Sequence, residues 1–358
     1  MARPMTHMTH ARALAGIIGI LLSVISMSVG LAGQGDARGA DVIVPHESWS
    51  CGLPDGIPSP EGGTLVFEAA MTLDRVADVG RTQYGRRQVA VVQGGTVTGT
   101  RLNGSVMTGA IDFELTLANG VIEVEQIYVL RTSDGRYVYL RAAGTGADAK
   151  DVRLVMDFEA PTASDVAWLN AGTYVGRRVL NAAARTMTLR VYDVSTAKPA
   201  AGSGRAVRIT KPAGVPPQPW DFRRADPSEQ RGEEILTEIV TLGRGQSVQG
   251  GKRGNRNVLP ITGGTLTGLV SGKILFGGAD YQSLGNTGAP PIDARYLWQT
   301  TEGDIIIVRN TTNAGIGLIP TFETRVDGKY AWLNSGKYLS SPPGMGPGGL
   351  TISMYKSK

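Results

Sequence analysis

Six residues, Gly263-Gly264-Thr265-Leu266-Thr267-Gly268, repeat an earlier run, Gly94-Gly95-Thr96-Val97-Thr98-Gly99, and the flanks repeat with them. Arg87 precedes the first run as Arg256 precedes the second, both 169 positions apart (256 − 87, 263 − 94). Asp112-Phe113 then matches Asp280-Tyr281, Tyr128 matches Tyr296, and Arg141 matches Arg309, all at 168. Phe158-Glu159 matches Phe322-Glu323, and Ala167-Trp168-Leu169-Asn170 matches Ala331-Trp332-Leu333-Asn334, at 164. The offset only falls along the chain, as it must when one copy has longer loops and the order of elements is kept. An internal duplication of this kind excludes a single-domain reading.

Each copy alternates short β-branched and aromatic runs with Gly, Asp and Asn breaks; Val89–Val92, Val121–Leu130 and Thr188–Tyr192 are examples. Long helical periodicity is absent. Glycine supplies 49 of 358 residues, about twice the usual share of roughly 7%, which suits tight turns. Short strands with glycine turns indicate an all-β sandwich or barrel, and each copy has enough residues for about eight strands around one core. The expected fold is therefore two tandem antiparallel β-barrels, 64–195 and 233–358. A Pro-rich linker over 196–232 is expected to be extended rather than folded, which would leave the copies to fold separately. Residues 34–63, broken by Pro54, Pro58 and Pro60, are expected as a flexible lead-in holding the single cysteine, Cys51.

Arg3, His7, His10 and Arg12 precede an uncharged stretch from Ala13 to Gly33 with an apolar centre and a small-residue exit. That pattern reads as a signal peptide over 1–33, the alternative being an uncleaved anchor. The expected location is periplasmic or extracellular, with no membrane association after cleavage. Basic residues are scattered apart from Arg86-Arg87, Arg177-Arg178 and Arg223-Arg224, so no nucleic-acid footprint is expected.

Residue types bound the chemistry. His46 is the one histidine beyond the leader, which leaves neither barrel an imidazole for a Ser-His-Asp triad or a His/Cys metal site; no metal or cofactor is expected. Carboxylate, Tyr, Arg and Asn chemistry remains. Asp280 follows two glycines and is the first choice for a functional residue, with Asp112 its counterpart; the bland role for both is turn capping. Trp332 and Asn334 are ligand candidates too, against core packing and turn bonding. If Asp134-Gly135 and Glu302-Gly303 are two-residue hairpin loops, Tyr296 lies opposite Arg309 and Tyr128 opposite Arg141. Each pair would then place a phenol and a guanidinium on one face. Parity puts Asp293 on the face opposite Tyr296.

These residues, with Gly277-Gly278-Ala279-Asp280-Tyr281, Asp293-Ala294-Arg295-Tyr296 and Tyr330-Ala331-Trp332-Leu333-Asn334, resemble domain-of-unknown-function family 3237, also called UPF0311. The resemblance covers nearly all of both copies and implies an antiparallel β-barrel in each, with no settled general activity. Copy one departs from the pattern at Gly109-Ala110-Ile111-Asp112-Phe113, so copy two is the expected working copy. Three functions stay open: an exported module binding a small organic ligand in a barrel, an anionic one if the Tyr–Arg pairs form the site; a cofactor-independent lyase, isomerase or hydrolase; and a cell-envelope scaffold.

Overall fold

The strand Ile122–Thr132 buries Val124, Tyr128 and Leu130 inside the first barrel and turns Glu123, Glu125 and Ile127 outward, the period-two alternation of extended chain. The same alternation closes a whole barrel. Thr64–Arg81 pairs on one side with Arg86–Thr98 and on the other with Thr186–Asp193, and the ladder continues antiparallel through Tyr174–Asn181, Arg153–Glu159, Tyr137–Gly146 and Ile122–Thr132. Gly104–Val106 and Ile111–Thr116 share the remaining place, since both pair with the same two neighbours. The result is a closed eight-position barrel. The computed structural model describes residues 41–197, 205–216, 218, 223, 225–285, 291–313 and 317–358, which fall in one compact unit. The leader expected at 1–33 lies outside them, as do Pro199, Pro217 and Pro219 of the stretch between barrels.

The second copy builds the same sheet, from Arg231–Leu242 to Gly349–Ser357, but leaves it barrel-like rather than fully laddered. Its end strands, Gly317–Glu323 and Tyr338–Ser340, approach each other without forming a ladder. Their counterparts in copy one do pair, Tyr174 with Met156. Pro320 stands where copy one has Met156, and Pro342 where it has Arg178; proline has no N–H to give a ladder. On one side of the gap Arg223 donates from Nη2 to the Tyr338 carbonyl at 2.7 Å. In each copy the Ala-Trp-Leu-Asn run is a short 3-10 turn that buries its leucine in the barrel.

Three expectations need correction. Residues 41–63 are not a loose lead-in: Val42–Val44 pairs with Ile57–Pro58, and Ile43 and Ile57 are fully buried. Trp49 is buried against the barrel wall with its indole N–H on the Gly144 carbonyl at 2.8 Å. Cys51 is buried in the same cluster, and burial pushes its thiol well above the usual range. The stretch between the barrels is folded where it is described. Ala206–Arg208 adds a parallel strand to Val42–Val44, and Val207, Ile209 and Gln218 are buried. Apolar residues among the prolines, Ile209 and Val215, cover barrel wall beside Leu115 and Val121, and such burial favours the folded path.

The copies are not independent either. Val91, Phe113 and Ile127 of barrel one share a core with Val258, Tyr281 and Leu297 of barrel two. Around that core the contacts are reciprocal. Arg87 grips Glu323 through Nε (2.8 Å) and Nη2 (3.1 Å), and Arg256 grips Glu159 through Nε (2.9 Å) and Nη2 (2.8 Å). The first hairpin of each copy reaches over the other: Val326 N–H donates to the Arg81 carbonyl, and Thr162 N–H to the Gly250 carbonyl, both at 2.9 Å. These are the same contact made twice, as in a two-fold dimer.

Arg87 and Glu323 are both sealed from solvent, so removing one strands a buried charge, at a cost of about 3–5 kcal/mol, whereas replacing both with apolar groups is close to neutral. Urea unfolding of Arg87→Met is expected to show that loss, with Arg87→Met/Glu323→Leu recovering most of it. An unchanged midpoint in the single variant would contradict the assignment. Arg256→Met should cost less, because Arg253 also donates to Glu159.

Candidate functional site

Asp280, Ala294 and Asn310 stand side by side on three adjacent strands: Asp280 pairs with Ala294, and Ala294 with Asn310. Their outward neighbours fix which way they face. Ala279 and Tyr281 enter the shared core between barrels, as Leu297 does, while Ala294 belongs to the core inside barrel two. Asp280 and Asn310 therefore face that interior too. Gln282 Nε2 donates to Asp280 Oδ2 at 2.8 Å, and Asn257 Nδ2 donates to Gln282 Oε1 at 2.9 Å. Asp280 Oδ1 and Asn310 Oδ1 are both sealed from solvent and accept no hydrogen bond of normal geometry. Burial pushes the Asp280 carboxyl up to about 6 against the Gln282 bond; the Asp293 charge behind it adds to the rise, and a hydrogen bond from the Asp293 backbone opposes it. Two orphaned acceptors flank one methyl group.

Copy one fills the same row. Asp112, fully buried, accepts from Gln126 Nε2 at 2.6 Å and from Arg178 Nη2 at 2.8 Å. Arg178 also donates through Nη1 to Glu114 Oε2 at 2.5 Å. Gln126 occupies the place of Ala294, Glu114 that of Gln282, and Arg178 that of Pro342. An ionic cluster thus satisfies the barrel-one carboxylate whose counterpart in barrel two has a bare oxygen.

Deeper in barrel two, Glu238 is completely buried between Tyr296, whose hydroxyl donates at 2.6 Å, and Trp298, whose indole N–H donates at 3.1 Å. Burial raises its carboxyl to about 7 despite both bonds. The sequence reading passed over Glu238. Its signal was present: Leu236, Glu238 and Val240 have one parity, so a carboxylate interrupts an inward apolar row, where copy one has Ala69.

The remaining candidates scatter. The expected Tyr296–Arg309 and Tyr128–Arg141 pairs do not exist, because each hairpin loop has three residues, not two. Thr300 N–H bonds to the Asp304 carbonyl and Thr132 N–H to that of Arg136, with Gly303 (φ +94°) and Gly135 (φ +90°) supplying the left-handed residue; three-residue loops of this kind favour Gly there. The register moves by one: Tyr296 faces Val308 and Arg295 faces Arg309, while Tyr128 faces Leu140 and Ile127 faces Arg141. A one-residue slip turns every side chain to the other face. Tyr296 stays inside with Asp280, while both arginines lie on the outer wall. There, burial alone would raise Glu125, but Arg295, Arg141 and Arg309 together hold it down at about 2. Arg309 and Asn334 line an outer cleft of about 240 Å³, and Arg141 another of about 570 Å³. Asn334 bonds both backbone groups of Thr324, as Asn170 does those of Ala160, the turn-bonding role. Trp332 packs at a tilt against Tyr338, with the rings 59° apart in plane, and Tyr128 is core. Asp293 does face away from Tyr296, with its carboxylate on Arg295.

A family model described as a protein of unknown function (DUF3237) matches residues 63–195 and 232–316, which is most of both copies. A UPF0311 protein of Bradyrhizobium diazoefficiens is 37% identical over 73 residues, 20% of this chain and 48% of the relative. One of Clostridium acetobutylicum is 32% identical over 80 residues, 22% and 51%. The chain thus spans about half the length of the curated relatives it matches. Among solved structures, a β-barrel-like protein of Acinetobacter baumannii shares 21% identity at a TM-score of 0.33, over 37% of this chain and 94% of its own. A protein of unknown function from Clostridium acetobutylicum shares 24% at 0.33, over 36% and 93%.

The buried Glu238 sets a pH dependence. Its folded value, about 7, lies above the ordinary 4.5, so its contribution is fully present below pH about 4.5 and is lost as pH rises through 7, on the order of 3 kcal/mol in all. Asp280 acts in the same sense up to about 6. Chemical unfolding is expected to show wild type losing stability from pH 5 to 8, and Glu238→Gln losing far less above pH 6. Superimposable profiles would contradict the assignment.

Proposed function

The chain belongs to the DUF3237 family, and on that premise we propose that barrel two is its ligand-binding copy, holding a small organic molecule over Ala294, while barrel one is the closed partner that supports it. The observation that carries this reading is the contrast between Asp112, satisfied by Gln126 and Arg178, and Asp280, whose Oδ1 is sealed and unsatisfied. A buried acceptor without a partner costs about 1–3 kcal/mol. A buried group of that sort calls for a partner, and a ligand N–H is one that would serve. With the leader read at 1–33, the same proposal places the binding outside the cytoplasm.

A second reading has one observation in its favour. A carboxylate raised to about 6 is suited to accept a proton near neutral pH, and Tyr296 lies deeper on the same face. Asp280 would then be the base of a cofactor-independent lyase or isomerase.

Ligand-observed NMR of a mixed fragment library tests the binding reading. Hits on wild type should lose their signal with Asp280→Asn and keep it with Asp112→Asn, which disturbs only the closed barrel. Hits indifferent to Asp280→Asn and lost with Asp112→Asn would reverse the assignment of roles.

A further inference from the structure

Resting on the barrel-two reading, we infer that the ligand class is a small cation with a planar N–H donor group, an amidinium or a guanidinium. Copy one shows which groups complete this row. The Asp112 carboxylate is met there by a carboxamide N–H and a guanidinium N–H, both from the chain itself. In copy two Ala294 and Pro342 have taken both donors away and left the acceptor in place.

Charge permits the same class. The closed end of barrel one holds two carboxyls, Asp112 and Glu114, around the one cation, Arg178. Gln282 replaces Glu114 in copy two, leaving a single carboxyl, Asp280, and among the described residues no Lys or Arg pairs with it. One bound cation makes the row neutral; an anion would add charge to a buried carboxylate, so the anionic ligand expected from the Tyr–Arg pairing does not suit this face. Asn310 Oδ1, across Ala294, gives a second acceptor for the far N–H of a planar donor. An amidinium or guanidinium carries several N–H donors in one plane and makes its strongest bonds to a carboxylate.

The test is calorimetric titration of the full chain with benzamidine, benzamide and benzoate. Benzamidine is expected to bind at least tenfold more tightly than benzamide, and benzoate not at all. Its affinity should fall about tenfold per pH unit below 6, as Asp280 takes up a proton. Asp280→Asn should weaken benzamidine by tenfold or more. Ala294→Gln, which rebuilds the Gln126–Asp112 bond in copy two, should abolish binding and raise the unfolding midpoint. If Ala294→Gln fails to fold, the near-isosteric Asp280→Asn still decides the matter. Equal binding of benzamide and benzamidine, both lost with Asp280→Asn, would overturn the cationic class and leave barrel two as the site. Benzamidine binding that ignores both variants would overturn the site itself. No benzamidine binding at about 10 mM would overturn the class, and the fragment screen would then judge the site by itself.

Discussion

The reciprocal grip of Arg87 on Glu323 and Arg256 on Glu159 is the constraint on which the rest of the structure depends. It explains why those residues recur in both copies: each pair needs an arginine from one barrel and a glutamate from the other, so both copies must carry both. The hairpin arms and the shared apolar seam obey the same exchange. The chain is an isologous dimer written as one polypeptide. Bidentate pairs in a sealed seam fix orientation as much as they stabilise, since a displaced partner would leave charge buried.

Once both halves are covalently joined, the symmetry is free to lapse where it is not needed. Arg295 of barrel two reaches Glu125 across the seam, whereas its counterpart is Ile127, an apolar seam residue. Inside the barrels the divergence runs the other way. Barrel one satisfies the Asp112 carboxylate with Arg178 and Gln126; barrel two keeps the acid, drops both donors and adds Glu238 at depth. Burial raises carboxyls in both copies, Asp112 in barrel one and Asp280 and Glu238 in barrel two, and what separates them is that Asp112 alone has a guanidinium against it.

Much of this was legible in the residues because duplication is a comparison carried within one chain. The offset alignment identified Asp280 and Asp112 as equivalent, and the parity of Asp293 against Tyr296 followed from strand geometry alone. What could not be read was decided by long-range packing or by one turn. An Asp-Gly or Glu-Gly pair serves two-residue and three-residue loops alike, because both need a glycine with positive φ, and that single ambiguity moved Arg309 from the interior to the outer wall. Residues 41–63 and the proline-rich stretch looked unfolded because their apolar residues, Ile43, Trp49 and Ile209, lack periodicity; the barrel wall that buries them is distant in sequence. Arg87 and Glu159 were visible as repeats, but nothing local says that each finds its partner in the opposite copy.

The most direct test of the shared seam is the folding of residues 231–358 expressed alone, followed by circular dichroism during urea unfolding, with and without residues 41–230 added in trans. The account predicts no cooperative transition for 231–358 alone, because Glu323 loses Arg87 and the face of Tyr281 and Leu297 is left exposed, and recovery of a cooperative transition when the other half is added. A cooperative transition of 231–358 alone, at the midpoint of the intact chain, would contradict it.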